Sequence, residues 1–137
     1  MHALVIGCGR VGSALARTLR DDGWEVTAID EDEDALSRLG EDWRGGFVVG
    51  HGLDAGVLEA GGIAEADAVV VATDGDNTNI VIAQVAKTGY QVPNVACRIL
   101  DPARAELYSD HGFTVVSPIK TAIEALTGWA RSVSQER

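Results

Sequence analysis

The stretch "LVIGCGRVGSALARTL", residues 4–19, decides the fold. It passes from an apolar run through a glycine-rich turn into a segment with helical spacing. The turn reads Gly7-x-Gly9-x-x-Gly12. Residues 3–6, rich in Val and Ile, read as a buried strand. Val11, Leu15 and Leu19 then share one face of a helix over residues 11–20. Three such glycines alone are a weak signal, because glycine is common in turns. Here a strand precedes them, a helix follows, and a second strand over 25–29 ends at the carboxylate of Asp30. Asp30 follows Gly12 at close to the roughly 20-residue separation that a dinucleotide-type phosphate turn requires.

The same unit repeats along the chain. Residues 34–39 read as a short helix, 47–49 as a strand, Ala55–Ala60 as a helix and 68–72 ("AVVVA") as a deeply buried strand. A helix over 79–88 follows, capped by Asn77 or Thr78 and stopped by Gly89. Asn94–Arg98 is a fifth strand, Pro102–Tyr108 a helix with proline in its first turn, 113–116 a sixth strand and 121–133 a last helix. Strands alternating with helices imply parallel β-α-β units. Right-handed crossovers then give a doubly wound α/β fold, a six-stranded sheet in the order 3-2-1-4-5-6 with helices on both faces.

Length and composition fit one such domain. The chain has 137 residues, 46% of them apolar and 23% charged, which is ordinary for a globular protein. No apolar run approaches the roughly 18 residues that span a bilayer, and no export signal is visible at the N-terminus. Two cysteines, Cys8 and Cys97, make no disulfide framework, so a reduced cytoplasmic setting is expected. The formal net charge is −10. That argues against nucleic acid as the main partner and against docking on anionic lipid.

Each residue of the turn has a physical role in holding a nucleotide. Gly7 permits the tight turn, Gly9 lets backbone approach phosphate, and Gly12 lets the helix pack on the strand. The helix N-terminus offers unpaired N–H groups and a partial positive charge. Arg10 and Val11 fill the variable positions. Arg10 either contacts a terminal phosphate or is a solvated loop arginine. Cys8 reads as a small residue in a crowded turn. Asp30 accepts hydrogen bonds from ribose hydroxyls, and Glu31 to Asp34 continue it as the run "DEDED". A ribose 2′-phosphate would meet these acids at a cost of about 1 kcal/mol per charge pair at 4 Å in water, so NADP is disfavoured. Thr73 and Asp74, ending strand four, are expected across the crevice from the glycines. Asp74, Asp76 and Asn77 read equally well as turn and cap residues. Arg98, ending strand five, either reaches phosphate or pairs with an acidic neighbour.

At this point the residues resemble a known family. "GCGRVGSALARTL", "VTAIDEDEDAL", "GHGLDAGVLEAGGIAEADAVVVATDGDNTNI" and "VACRILDPARAELYSDHGFTVVSP" together look like the RCK N-terminal (TrkA-N) domain. That domain belongs to regulators of bacterial potassium channels and transporters of the Trk and Ktr type. The resemblance implies a Rossmann-like domain that binds NAD(H), ATP or ADP. It implies pairing into homodimers or larger rings beside a membrane potassium channel or transporter subunit, at the cytoplasmic face, with no insertion of its own. Carried over, the phosphate loop is Gly7, Gly9, Arg10, Val11 and Gly12, and the ribose acid is Asp30 with Glu31 beside it. The end of strand three, commonly Gly-Asp in the family, reads Gly50-His51, and Asp54 matches the acid a few residues on. His51 departs from the pattern and reads more readily as a surface or packing residue than as a ligand. Full-length regulators add a C-terminal RCK domain, which a chain ending at Arg137 is expected to lack.

The last helix carries Ile119, Ile123, Leu126, Trp129, Ala130 and Val133 as a stripe of 3- and 4-residue spacing. It either packs on its own sheet or crosses to a partner subunit. Two functions fit the chain as a whole: a nucleotide-sensing regulator of potassium transport, and an NAD-dependent oxidoreductase fragment. Hydride transfer needs an acid/base group and a substrate pocket over the nicotinamide. His2, His51 and His111 are scattered, Lys87 and Tyr90 have the wrong order for a Tyr-x-x-x-Lys pair, and no residues remain for a substrate domain. The expectation is a sensor and not an enzyme, with no catalytic residues and no metal site.

Overall fold

The computed structural model describes residues 1–136. Six strands, β1 (His2–Ile6), β2 (Glu25–Asp30), β3 (Gly46–Val49), β4 (Ala68–Val71), β5 (Asn94–Arg98) and β6 (Thr114–Val116), form one sheet in the order β3-β2-β1-β4-β5-β6. Every pairing is parallel. The connecting helices are α1 (Arg10–Asp21), α2 (Ala35–Leu39), α3 (Ala55–Ala60), α4 (Asp76–Gln84) and α5 (Pro102–Tyr108), and α6 (Pro118–Gln135) follows β6. The expected strand order and doubly wound class are those observed.

β1 lies at the centre because it is apolar on both faces. Leu4 and Ile6 point into a large core with Leu58 of α3, Ile80 and Ile82 of α4 and Ala105 of α5. Ala3 and Val5 point into a smaller core with Ala16 of α1 and Ala35 and Leu39 of α2. The handedness of crossovers explains this division. From β1 to β3 the chain steps in one direction, so α1 and α2 fall on one face. From β3 to β6 it steps in the other, so α3, α4 and α5 fall on the opposite face. The direction reverses between β1 and β4, and the crevice of a doubly wound sheet opens there, at the carboxyl ends of the strands.

The same topology leaves half of one face without a helix. Among the described residues, no crossover covers β4, β5 and β6 on the side of α1 and α2. Val116 is half exposed there, and Val70 and Ala96 are only partly covered. The last helix does not fill the gap. α6 has no buried residue, and Ile119, Ile123, Leu126, Trp129 and Val133 are 41–68% exposed. Packing of this stripe on its own sheet, one of the two alternatives read from the sequence, is therefore not what the chain does.

Most element boundaries move by a single residue from those read in the sequence, with two exceptions. α4 starts at Asp76 rather than at 79, with Gly75 at its cap and no side-chain cap. Asn77 and Thr78 thus lie inside the first turn and do not cap the helix. Beyond Gln84 the chain widens into a π-helical turn, Val85–Gly89. α6 starts at Pro118, earlier than expected, because the Ser117 hydroxyl accepts the Lys120 N–H at 3.3 Å and proline suits the first turn.

Candidate functional site

A crevice of about 370 Å³ opens at the carboxyl ends of β1 to β4. That volume lies within the range of small-molecule sites. The glycine turn forms its floor. Gly7 has φ +94°, and a Cβ there would lie 2.6 Å from the backbone of Ala72 and Thr73. Only glycine lets β1 turn this tightly against the end of β4. A Cβ on Gly12 would lie 1.8 Å from the Gly7 carbonyl oxygen, so α1 packs directly on the turn. Gly9 differs from both, since a Cβ there would meet nothing within 4 Å. Gly9 is the N-cap of α1 and has no side-chain cap, so the first N–H groups of the helix are left open at the crevice floor.

Asp30 and Arg38 hold the two consecutive peptides that flank the Cys8 Cα. Asp30 Oδ2 accepts the Cys8 N–H at 2.7 Å, and Oδ1 accepts the Asp32 N–H at 2.9 Å. Each carboxylate oxygen retains a further acceptor site for a ligand hydroxyl. Arg38 Nε donates to the Cys8 carbonyl at 2.7 Å. A trans peptide is planar, with its C=O and N–H opposed. Fixing the Cys8 carbonyl on Arg38 therefore fixes the Gly9 N–H on the opposite side. Burial, reinforced by the neighbouring Asp30 carboxylate, pushes the Cys8 thiol up to about 12, so it stays protonated and packs as an apolar group.

On the far side of Asp30, His51 Nε2 lies 3.0 Å from Glu31 Oε1. Leu53 donates its N–H to His51 Nδ1 at 3.0 Å, which leaves the ring proton on Nε2 to be given to Glu31. This pair joins the ends of β2 and β3 at the crevice rim. Gly50 sits behind it, donating its N–H to the Asp30 carbonyl at 2.9 Å.

The opposite wall is the β4–α4 loop, held by a side chain the sequence reading did not single out. Asn79 is fully buried. Its Oδ1 accepts both the N–H and the hydroxyl of Thr73, and its Nδ2 donates to the carbonyls of Thr73 at 3.0 Å and Arg98 at 2.9 Å. Arg98 Nη2 donates to the Thr73 carbonyl at 3.0 Å and lies 3.6 Å from Asp74 Oδ1. Of the two roles left open for Arg98, the geometry is that of the acidic partner.

The structure thus gathers Gly7, Gly9, Asp30, Glu31, Gly50, His51, Thr73 and Asp74 around one crevice. The other sequence candidates lie off its lining. Arg10 and Val11 are exposed on the first turn of α1, and Gly12 is beneath the glycine turn. Asp54 caps α3 by accepting the Gly56 and Val57 N–H groups at 2.9 and 3.4 Å. Arg98 is tucked under the Thr73 loop. Arg38, unremarked in the sequence, is the one Lys or Arg among the described lining residues, facing Asp30, Glu31, Asp32 and Asp74. A polar residue directly ahead of "IVIA", the apolar run within α4, was the available signal for Asn79. For Arg38 there was none, because an arginine at an exposed position of a short helix looks like any solvated cation.

Comparison with known proteins follows from this geometry. The family model described as the TrkA-N domain matches residues 3–118. The chain is similar to the Trk system potassium uptake protein TrkA of Streptomyces coelicolor, 45% identical over 120 residues, covering 88% of this chain and 54% of that one. It is also similar to the TrkA homolog of Methanothermobacter thermautotrophicus, at 32% over 89% of this chain and 56% of that one. It spans about half the length of these curated relatives. Among solved structures, the TrkA-N domain of the Escherichia coli inner membrane protein ybaL superposes with a TM-score of 0.82, at 18% identity over 93% of this chain and 95% of that one. GsuK bound to ADP gives 0.76, at 23% identity over 92% and 32%. These two likenesses carry the fold.

Proposed function

The chain belongs to the TrkA-N domain family, and we propose that it is a regulatory domain that binds an adenine nucleotide, NAD(H) or ATP/ADP, to control a potassium channel or transporter. The observation that carries this reading is the anchored backbone of Cys8, whose N–H is held by Asp30 and whose carbonyl is held by Arg38. Through it, the Asp30 carboxylate and the open amides of the α1 N-terminus are held on one crevice. The carboxylate suits ribose hydroxyls, and the amides suit the phosphate attached to that ribose. Gly7, Gly9 and Gly12 shape the turn. Glu31, Gly50, His51, Thr73 and Asp74 wall the crevice, Asp54 orders the wall beside His51, and Arg10 is free to follow a longer phosphate chain. The acids beside Asp30 disfavour a 2′-phosphate, and with it NADP. With its imidazole engaged by Glu31 and Leu53, His51 serves the wall and not proton transfer.

Regulation in this reading is a shift between two arrangements of an assembly. A ligand drives such a shift only by its differential affinity, about 5.5 kcal/mol for a complete switch. The exposed stripe of α6 and the uncovered half-face of β4–β6 are complementary apolar surfaces on one chain. A homodimer in which each α6 covers its partner, or a larger ring built from such pairs, buries both. The assembly is placed at the cytoplasmic side of the membrane through its channel or transporter partner. Among the described residues no helix is long and apolar enough to cross a membrane, so contact is assigned to the partner.

Calorimetric titration with ATP, ADP, AMP, NAD and NADH tests the reading. Saturable binding of at least one is expected, and no binding by any at millimolar concentration overturns it.

A further inference from the structure

We infer that the crevice reads only the adenosine-phosphate half of its ligand, so that nucleotides ending at their phosphates bind at least as tightly as dinucleotides. The inference rests on the nucleotide reading above and narrows its ligand class. In a doubly wound sheet a dinucleotide straddles the switch point, with one nucleoside over each half of the sheet. Here the two halves are unlike. Over β1–β3 the crevice is open, and its lining comes from the ends of β1, β2, β3 and β4 and the segments that follow them. No residue at the carboxyl end of β5 or β6 contributes to it.

Over β4–β6 the corresponding space is stitched shut. Asp76 Oδ1 accepts the Leu100 N–H at 2.8 Å, and Oδ2 accepts the Asp101 N–H at 3.0 Å, so one carboxylate ties the start of α4 to the loop after β5. Arg104 Nη1 donates to Asn77 Oδ1 at 2.8 Å across the same seam. Beneath it, Arg98 and Asn79 bind the Thr73 carbonyl. The Ile99 N–H donates to the Val116 carbonyl at 3.0 Å and closes β5 on β6. Hydrogen bonds to a carboxylate are among the stronger ones in a protein. A second nucleoside must therefore break this seam or project into solvent, and neither course adds affinity. A nucleotide that stops at its phosphates asks for neither.

Saturation-transfer NMR on the full chain, with NAD and AMP as probes, reads the contact directly. The adenine H2 and H8 protons of both ligands are expected to saturate, with the nicotinamide protons of NAD at background. Calorimetry is expected to give ADP an affinity equal to or above that of NAD. Nicotinamide saturation matching that of adenine, or NAD binding about tenfold or more tighter than ADP, overturns the inference while leaving the nucleotide reading intact. Absence of saturation from either ligand overturns the nucleotide reading, and this inference with it.

Discussion

Asp30 holds the Cys8 N–H at 2.7 Å, so the acid at the end of β2 builds the glycine turn at the end of β1 as well as facing the crevice. The two functions separate by measurement. Asp30→Ala removes both backbone contacts and leaves the Cys8 N–H without its partner. Stability is expected to fall by about 1.5–3 kcal/mol, the usual worth of hydrogen bonds to a charged group. Affinity for AMP is expected to fall by about tenfold or more, since each 1.4 kcal/mol is tenfold. Denaturant melts and calorimetry below the melting range check the pair. Full affinity in a destabilised Asp30→Ala protein would confine Asp30 to a structural role.

Arg38 acts on the following peptide, through the Cys8 carbonyl. Because it fixes the direction of the Gly9 N–H, its loss should be felt by phosphate and not by the nucleoside. Arg38→Ala is expected to weaken AMP by roughly 1 kcal/mol, the worth of one hydrogen bond, while adenosine binds as before. Arg38→Lys should restore little, because a single ammonium cannot reproduce the planar guanidinium on that carbonyl. Equal losses for AMP and adenosine would place Arg38 against the base or ribose instead.

Asn79 is fully buried, and its side chain ties the β4–α4 junction at Thr73 to the end of β5 at Arg98. Asn79→Ala takes the partner from the Thr73 N–H and from the Arg98 carbonyl at once, and leaves the Thr73 carbonyl to Arg98 alone. A cost of about 2–4 kcal/mol is expected, within the range for unsatisfied buried groups taken more than singly. The check is the urea midpoint, together with faster exchange of the Thr73 and Gly75 amides. A midpoint within error of the parent chain would show that Asn79 is not the hub of the loop.

Asn79 and Arg38 also mark where the sequence stops being legible. Strand order followed from periodicity and handedness, because apolar alternation is local and crossover chirality is nearly invariant. Gly7 and Asp30 could be placed because a glycine turn of this kind has fixed spacing to the acid, and Thr73 because strands 1 and 4 flank the switch point. Arg38 meets Cys8 across a separation of 30 residues, and nothing in the local pattern of a five-residue helix encodes that contact. Arg98 was placed at the right strand end, but its side chain turns under the Thr73 loop rather than into the crevice. The α6 stripe showed an apolar face without showing what it covers, since the same spacing serves a core and an interface.

The two thiols make stability depend on alkaline pH. Burial raises both Cys8 and Cys97 from 9.0 to about 12, with Asp30 and Asp76 adding to the effect. Below pH 9 both states hold the proton, and the thiols contribute their full share to the folded state. Above it the unfolded chain loses protons that the folded chain keeps, so the unfolded state binds fewer and stability falls with pH. The loss is expected across pH 9–12. Urea midpoints of the parent and of a Cys8→Ala/Cys97→Ala chain, compared at pH 8 and 10.5, isolate this share from other titrating groups. Parallel declines in the two proteins would contradict it.

The face of α6 is expected to be an association surface. Leu126 and Trp129 are its most exposed large apolar side chains, at 68% and 67%. Fully burying such a side chain is worth about 1.5–3 kcal/mol, so a symmetric pair that covers both on each chain gains several times that before the cost of association. Leu126→Glu places a charge in the middle of the stripe, where a partner would have to desolvate it. Neither residue contributes to the chain's own core, so the fold of the monomer should be untouched. Sedimentation velocity is expected to show the parent chain as a dimer or larger species and Leu126→Glu shifted to monomer, with the same far-ultraviolet circular dichroism. A parent chain that stays monomeric at high concentration, or a variant that keeps its association, would locate the interface elsewhere or remove it.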